Sequence, residues 1–339
     1  MTSAWIGFSL VVIGGIMQGT YFLGLKYVNP WKWENIWALY SLLSLIVLPV
    51  ALALATVPHL SEMLRRAPAS ALAWVFLYGA GWGVGSVLAG LGVAKMGMAM
   101  GVSVLIGVTA AIGTAVPLVV DTPQLIFSAR GVLVILAVAA LLIGVALAAV
   151  AGKKREASLA DTPAVVEKGA FGVGLAICVF SGIFSAMLNL AFAFSQPVVY
   201  AGMETGASNF GALNAVWMVA LGGGFIANAG YTSYLLTRNK TWSNFTLSGT
   251  AKAWAIGLGM AVLWTGGIIL YGRGAAFMGQ TGAVVGWPLF IGIIIFVSTI
   301  WGFASGEWKD SSQEARYYMV AGMAVLLIAS GLVGLANHL

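Results

Sequence analysis

Ten stretches of this chain contain no Asp, Glu, Lys or Arg: 1–25, 35–61, 67–94, 96–120, 131–152, 169–203, 205–237, 253–272, 274–306 and 317–339. Each holds at least 20 residues, and all charge is confined to the gaps between them. A helix needs about 20 mostly apolar residues to cross the hydrocarbon core of a bilayer. Within that core only helices and closed barrels satisfy their own backbone polar groups. The stretches therefore predict ten membrane-spanning helices, at 4–25, 34–56, 70–94, 98–120, 128–150, 170–194, 209–236, 251–272, 283–304 and 316–336.

Composition removes the competing classes. Hydrophobic residues make up 60% of the chain and charged ones 8%, against roughly 25% charged in soluble domains. A membrane barrel would show segments of about 10 residues alternating in polarity, whereas these runs are continuous. The 45 glycines suit closely packed membrane helices, and Gly15/Gly19, Gly81/Gly85, Gly97/Gly101 and Gly282/Gly286 repeat a small-xxx-small spacing. The single cysteine, Cys178, excludes an internal disulfide framework and reads as a small buried hydrophobe. The first stretch lacks the basic start of a secretory signal and reads as the first span.

The net charge of +6 reports topology here, with no nucleic-acid partner implied. Loops after odd-numbered spans carry Lys26, Lys32, Lys95, Lys153, Lys154, Arg155, Lys168, Arg238, Lys240, Lys252, Lys309 and Arg316; the opposite loops carry only Arg65, Arg66, Arg130 and Arg273. Basic loops stay in the cytoplasm, so both termini are expected outside a cytoplasmic membrane. The sequons at Asn239 and Asn244 then fall on the cytoplasmic side and read as accidental.

The longest polar connection divides the chain into 1–150, a cytoplasmic linker at 151–169, and 170–339. Residues 82–97, WGVGSVLAGLGVAKMG, align without gaps on 264–279, WTGGIILYGRGAAFMG. Trp82 meets Trp264, Gly85 meets Gly267 and Gly92 meets Gly274, and a weaker echo sets Gly15-Ile16 on Gly182-Ile183. Repeats of five spans must insert with opposite orientation, a plan recurrent in secondary transporters, with the solute site near the midplane. A GxxxxGK[ST] loop is absent, so no ATP-driven pump is visible, and no HExxH motif or Cys/His cluster supports an enzyme.

Several segments then resemble a known family. Lys26-Tyr-Val-Asn-Pro-Trp31-Lys-Trp33-Glu34-Asn-Ile-Trp37 resembles the opening of the L-rhamnose–proton symporters, within the drug/metabolite transporter superfamily. Gly-Trp82-Gly-Val-Gly, Met96-Gly-Met-Ala-Met-Gly101, Ile106-Gly-Val-Thr with Gly113-Thr114, Ser181-Gly-Ile-Phe-Ser185, Gly222-Gly-Gly with Asn228, and Gly306-Glu307-Trp308 are similar to it in order along the chain. The resemblance implies an all-α integral membrane protein with ten transmembrane helices in two inverted five-helix repeats. It also implies import of a small neutral sugar, L-rhamnose or similar, driven by a proton gradient with no bound cofactor. Gly279 to Pro288 departs from the pattern: small residues stand where the family carries bulky ones, which bears on which solute fits.

A deoxyhexose presents hydroxyls on its edge and C–H groups on its faces, so its site calls for amides, hydroxyls and aromatic rings. Candidates inside the spans are Gln18, Tyr21, Asn189, Asn214 and Asn228, with Trp82, Trp264, Tyr271 and Trp287 as flat surfaces. Each has a plainer reading: buried amides tie neighbouring membrane helices together, and aromatic rings pack or anchor at the interface. No carboxylate lies deep in any predicted span. Glu34, with Lys26 as a plausible opposite charge, is the best coupling candidate, although an acid at a helix N-terminus is also simply favourable. Glu204 and Glu307 follow it, and Arg273 is placed to orient a carboxylate or the sugar. A facilitator or symporter for another neutral metabolite, and a non-transporting membrane sugar sensor, stay open at this point.

Overall fold

The computed structural model describes residues 2–96, 98–159 and 170–338. Thirteen α-helices run through them: α1 (Thr2–Tyr21), α2 (Trp33–Leu42), α3 (Leu48–Thr56), α4 (Leu60–Arg66), α5 (Ala69–Met96), α6 (Met98–Val120), α7 (Ala129–Leu159), α8 (Ala170–Ala193), α9 (Gln196–Glu204), α10 (Asn209–Arg238), α11 (Ala251–Phe277), α12 (Gly282–Ala304) and α13 (Gln313–His338). Among the described residues these make ten spans apolar and long enough to cross a bilayer, from Ala4–Tyr27 to Gln313–Ala336, matching the ten predicted.

Three boundaries differ from the expectation, each for a local reason. Helix α7 continues to Leu159, because Lys153-Lys-Arg-Glu-Ala157 are good helix formers. The remaining linker, 160–169, and Gly97 of the aligned repeat lie outside the described residues. The sixth span extends into α9 after a break at Phe194–Ser195, with Pro197 in the first turn of the new helix, where its missing N–H costs nothing. In the second span a π turn, Leu43–Val47, separates α2 from α3. The Leu48 N–H bonds back to the Leu43 carbonyl, so the same register would pair residue 49 with Ser44. That residue is Pro49 and has no N–H. The hydroxyl of Thr265 on α11 donates to the Ser44 carbonyl instead, at 3.1 Å.

Helix pairing follows the glycines. A Cβ at Gly14 would stand 2.6 Å from the Gly267 carbonyl, and one at Gly7 would stand 2.6 Å from that of Gly274, so α1 and α11 meet backbone to backbone. The repeat-equivalent glycines of α5 are used the same way against α8: Gly85 lies against Ser185 and Gly92 against Cys178. Gly15 packs on Ile293 and Phe290 of α12, and its equivalent Gly182 packs on Val108 and Leu105 of α6. The pairs α6–α7 and α12–α13 likewise correspond, and α7–α13 and α6–α12 cross between the halves.

The beginning of α1 and the end of α13 lie together, Gly334 beside the Phe8 ring. This end of the bundle is called the terminus end and the opposite one the linker end. Packing differs between them. In α12 every residue from Gly282 to Ile293, the terminus-end half, is buried, while beyond it only Ile295 and Gly302 are. In α10, buried residues run unbroken from Gly211 to Trp217 and thin out past Gly224. Helices α10 and α12 are therefore packed more continuously at the terminus end than at the linker end.

Candidate functional site

Midway along the bundle, aromatic rings and amides from both halves converge. The indoles of Trp82 on α5 and Trp264 on α11 lie 5.2 Å apart, 34° from parallel. Tyr40 meets Trp264 edge-on at 6.2 Å, stacks on Tyr21 at 5.5 Å, and touches Trp37 at 4.9 Å. Each such ring pair is worth about 0.5–1.5 kcal/mol beyond its buried area. The wall is therefore firm.

Polar groups are set into this wall. Gln18 donates through Nε2 to the Trp264 carbonyl at 2.9 Å. The Asn228 carboxamide oxygen accepts from Trp37 Nε1 at 3.0 Å and from Ser86 Oγ at 3.2 Å, while its nitrogen donates to the Gly224 carbonyl. Gln18, Tyr21, Trp82, Asn228 and Trp264 are thus brought into one neighbourhood. Trp37, Tyr40 and Ser86 belong with them and were not singled out as ligands. The signal for two of them was present, since Trp33, Trp37 and Tyr40 are spaced four and three apart and share a helix face.

The other predicted residues form a second group nearer the terminus end. Asn189 is fully buried; its Nδ2 donates to the Gly113 carbonyl at 2.7 Å and the Ala283 carbonyl at 3.2 Å, and its oxygen accepts from the Tyr271 hydroxyl. Pro117 sits inside α6 and leaves the carbonyl four residues earlier without a helical donor. That carbonyl is Gly113, the one Asn189 serves. Trp287 Nε1 donates to the Thr109 carbonyl at 3.1 Å, and its ring lies against Gly113, where a side chain would collide with it. Tyr271 packs among Phe192, Trp287 and Phe290, and Phe192 stacks on Trp217.

The small residues of 279–288 are consumed by packing: a Cβ at Gly282 would run into the Ala275 carbonyl, and Gly286 faces Tyr271 at 3.5 Å. Asn214 stands apart from both groups, donating to Thr56 Oγ1 at 3.1 Å.

The charged candidates separate. Glu34 is the one acid among the buried side chains of the described residues. Its carboxylate accepts from Asn239 Nδ2 at 3.0 Å and Thr241 Oγ1 at 2.9 Å. The neighbouring Asn35 donates to the Thr241 carbonyl at 2.8 Å and accepts from Asn244. The start of α2 is thereby stitched to the loop between α10 and α11. Lys26 pairs with Glu307 rather than with Glu34, and also bonds Ser305. Arg155 holds the Glu307 carbonyl at 2.8 Å, so this cluster ties the turn after α1, helix α7 and the loop after α12 at the linker end. Arg273 is exposed over the Phe210 ring at 4.3 Å.

Ten spans surrounding a wall of rings and amides define a polytopic membrane transport protein. The L-rhamnose-proton symport protein family model matches residues 1–338, and the chain belongs to that family. It is 29% identical over 330 residues to the L-rhamnose-proton symporter of Pectobacterium atrosepticum, covering 95% of each chain. It is 27% identical to proteins of the same name from Mannheimia succiniciproducens, covering 95% of each, and Klebsiella pneumoniae, covering 96% of this chain and 95% of the relative.

Proposed function

We propose that this protein imports L-rhamnose, or a closely similar neutral sugar, together with protons across a bacterial cytoplasmic membrane. The observation that carries the reading is the convergence of Trp82 and Trp264, repeat-equivalent residues from the two halves, beside Gln18 and Asn228. Rings supply the apolar face for the C–H side of a deoxyhexose, and the amides with Ser86, Tyr21 and Tyr40 supply partners for its hydroxyls.

The halves 1–150 and 170–339 act as inverted repeats that rock about this site, joined by the linker. The recurrence of the same glycine contacts in α1–α11 and α5–α8 supports this arrangement, as does the gapless alignment of 82–97 on 264–279. The distribution of Lys and Arg supports a cytoplasmic linker end and both termini outside.

Glu34 carries the coupled proton in this reading. It is buried, close to the linker end, and held by neutral donors, so gaining a proton changes how α2 grips the α10–α11 loop. Moving one charge through 100 mV yields about 2.3 kcal/mol, enough for roughly fiftyfold accumulation of a neutral solute at about 1.4 kcal/mol per tenfold. The test is uptake of labelled L-rhamnose into proteoliposomes with and without an imposed pH gradient. Accumulation only with the gradient is expected; binding without flux, or flux indifferent to the gradient, overturns the assignment.

A further inference from the structure

Asn189 has no polar group left to offer a solute. Both of its amide hydrogens and its oxygen are engaged, by carbonyls of α6 and α12 and the hydroxyl of Tyr271 on α11. With α8, which carries it, four helices from both halves are tied at one side chain. All of it lies in the half of the bundle where packing is continuous.

The repeat provides an internal comparison. Gln18 aligns with Ser185, so Phe22, four residues on, aligns with Asn189. Phe22 is 46% exposed at the linker end, while Asn189 is 0% exposed toward the terminus end. Equivalent positions of the two halves thus differ in burial, one half-exposed and one enclosed. An inverted-repeat carrier caught open to one side has this asymmetry.

We infer that Asn189 is a positioning residue for transport: it bolts the outer gate shut in the inward-open state, using the Gly113 carbonyl that Pro117 leaves without a helical donor. The plug of Phe192, Trp217, Tyr271, Trp287 and Phe290 then excludes water above the sugar site. Opening to the outside requires the carboxamide to release Gly113 and Ala283 together. This rests on the alternating-access reading and its orientation, but its test needs no transported solute, so it survives a wrong sugar.

Thr114, buried one residue beyond Gly113, serves as a reporter when replaced by Cys in a Cys178→Ala background; Ser86→Cys reports from the linker-end side. The chain is placed in proteoliposomes of known sidedness and treated with a membrane-impermeant maleimide. Asn189→Ala is expected to speed labelling of T114C from the terminus side about tenfold and to slow labelling of S86C from the linker side. Pro117→Ala restores a helical donor to Gly113 and removes none of the bonding side chains, so it should shift both reporters the same way by less. Unchanged T114C labelling in both variants overturns the inference, and so does a rise at both reporters, which signals general loosening.

Discussion

The indole of Trp82 packs 5.2 Å from that of Trp264, although 182 residues separate them and each belongs to a different half of the chain. They are matched positions of the sequence alignment of 82–97 on 264–279. Under the rocking motion proposed above, a contact shared by both halves is the one that changes least.

Replacing Trp264 by Ala removes one face of that pair and the ring against which Tyr40 sits. The half-saturation concentration for L-rhamnose uptake should rise about tenfold, equivalent to about 1.4 kcal/mol, while Trp264→Phe recovers much of it. An unchanged half-saturation value in both variants would remove the ring pair from the sugar site.

Glu34→Gln keeps an oxygen to accept from Asn239 and Thr241 and loses the titratable proton. Sugar exchange across the membrane should persist while gradient-driven accumulation disappears. Accumulation at the unaltered level would rule Glu34 out as the proton carrier.

A Cβ at Gly79 would be forced into the Ala220 carbonyl where α5 crosses α10. Gly79→Ala should therefore cost about 1–3 kcal/mol, the usual penalty of overpacking, read as a lower melting temperature in detergent. Gly222 has open space around it, so Gly222→Ala should be neutral or gain up to about 1 kcal/mol from helix propensity.

Thr265→Val deletes the donor that serves the Ser44 carbonyl at the π turn. Leaving a buried carbonyl unpaired costs about 1–3 kcal/mol, and Thr265→Ser should restore most of the loss. By contrast Lys26 and Glu307 are 36% and 42% exposed, so breaking their pair should change stability by about 0–1 kcal/mol.

How much of this was legible follows from what each level of structure depends on. Span number and position were readable because burying a charge in hydrocarbon is costly, and that cost acts on every residue of a run irrespective of its neighbours. Gln18, Trp82, Asn228 and Trp264 were readable as polar or flat side chains in mid-span, and the repeat linked the two tryptophans. Tyr40 and Trp37 were harder to select, because an aromatic residue near a helix end packs or anchors far more often than it binds.

The sequence alone determined the number of membrane spans and the basic asymmetry of the loops, since each is a property of composition along one dimension. Only the tertiary structure decided that Lys26 faces Glu307, that Asn189 donates to the carbonyl freed by Pro117, and that α12 is buried without a break from Gly282 to Ile293. Those outcomes depend on which faces of remote helices meet. A hydrogen bond between residues 76 apart in the chain leaves no local periodicity by which to find it.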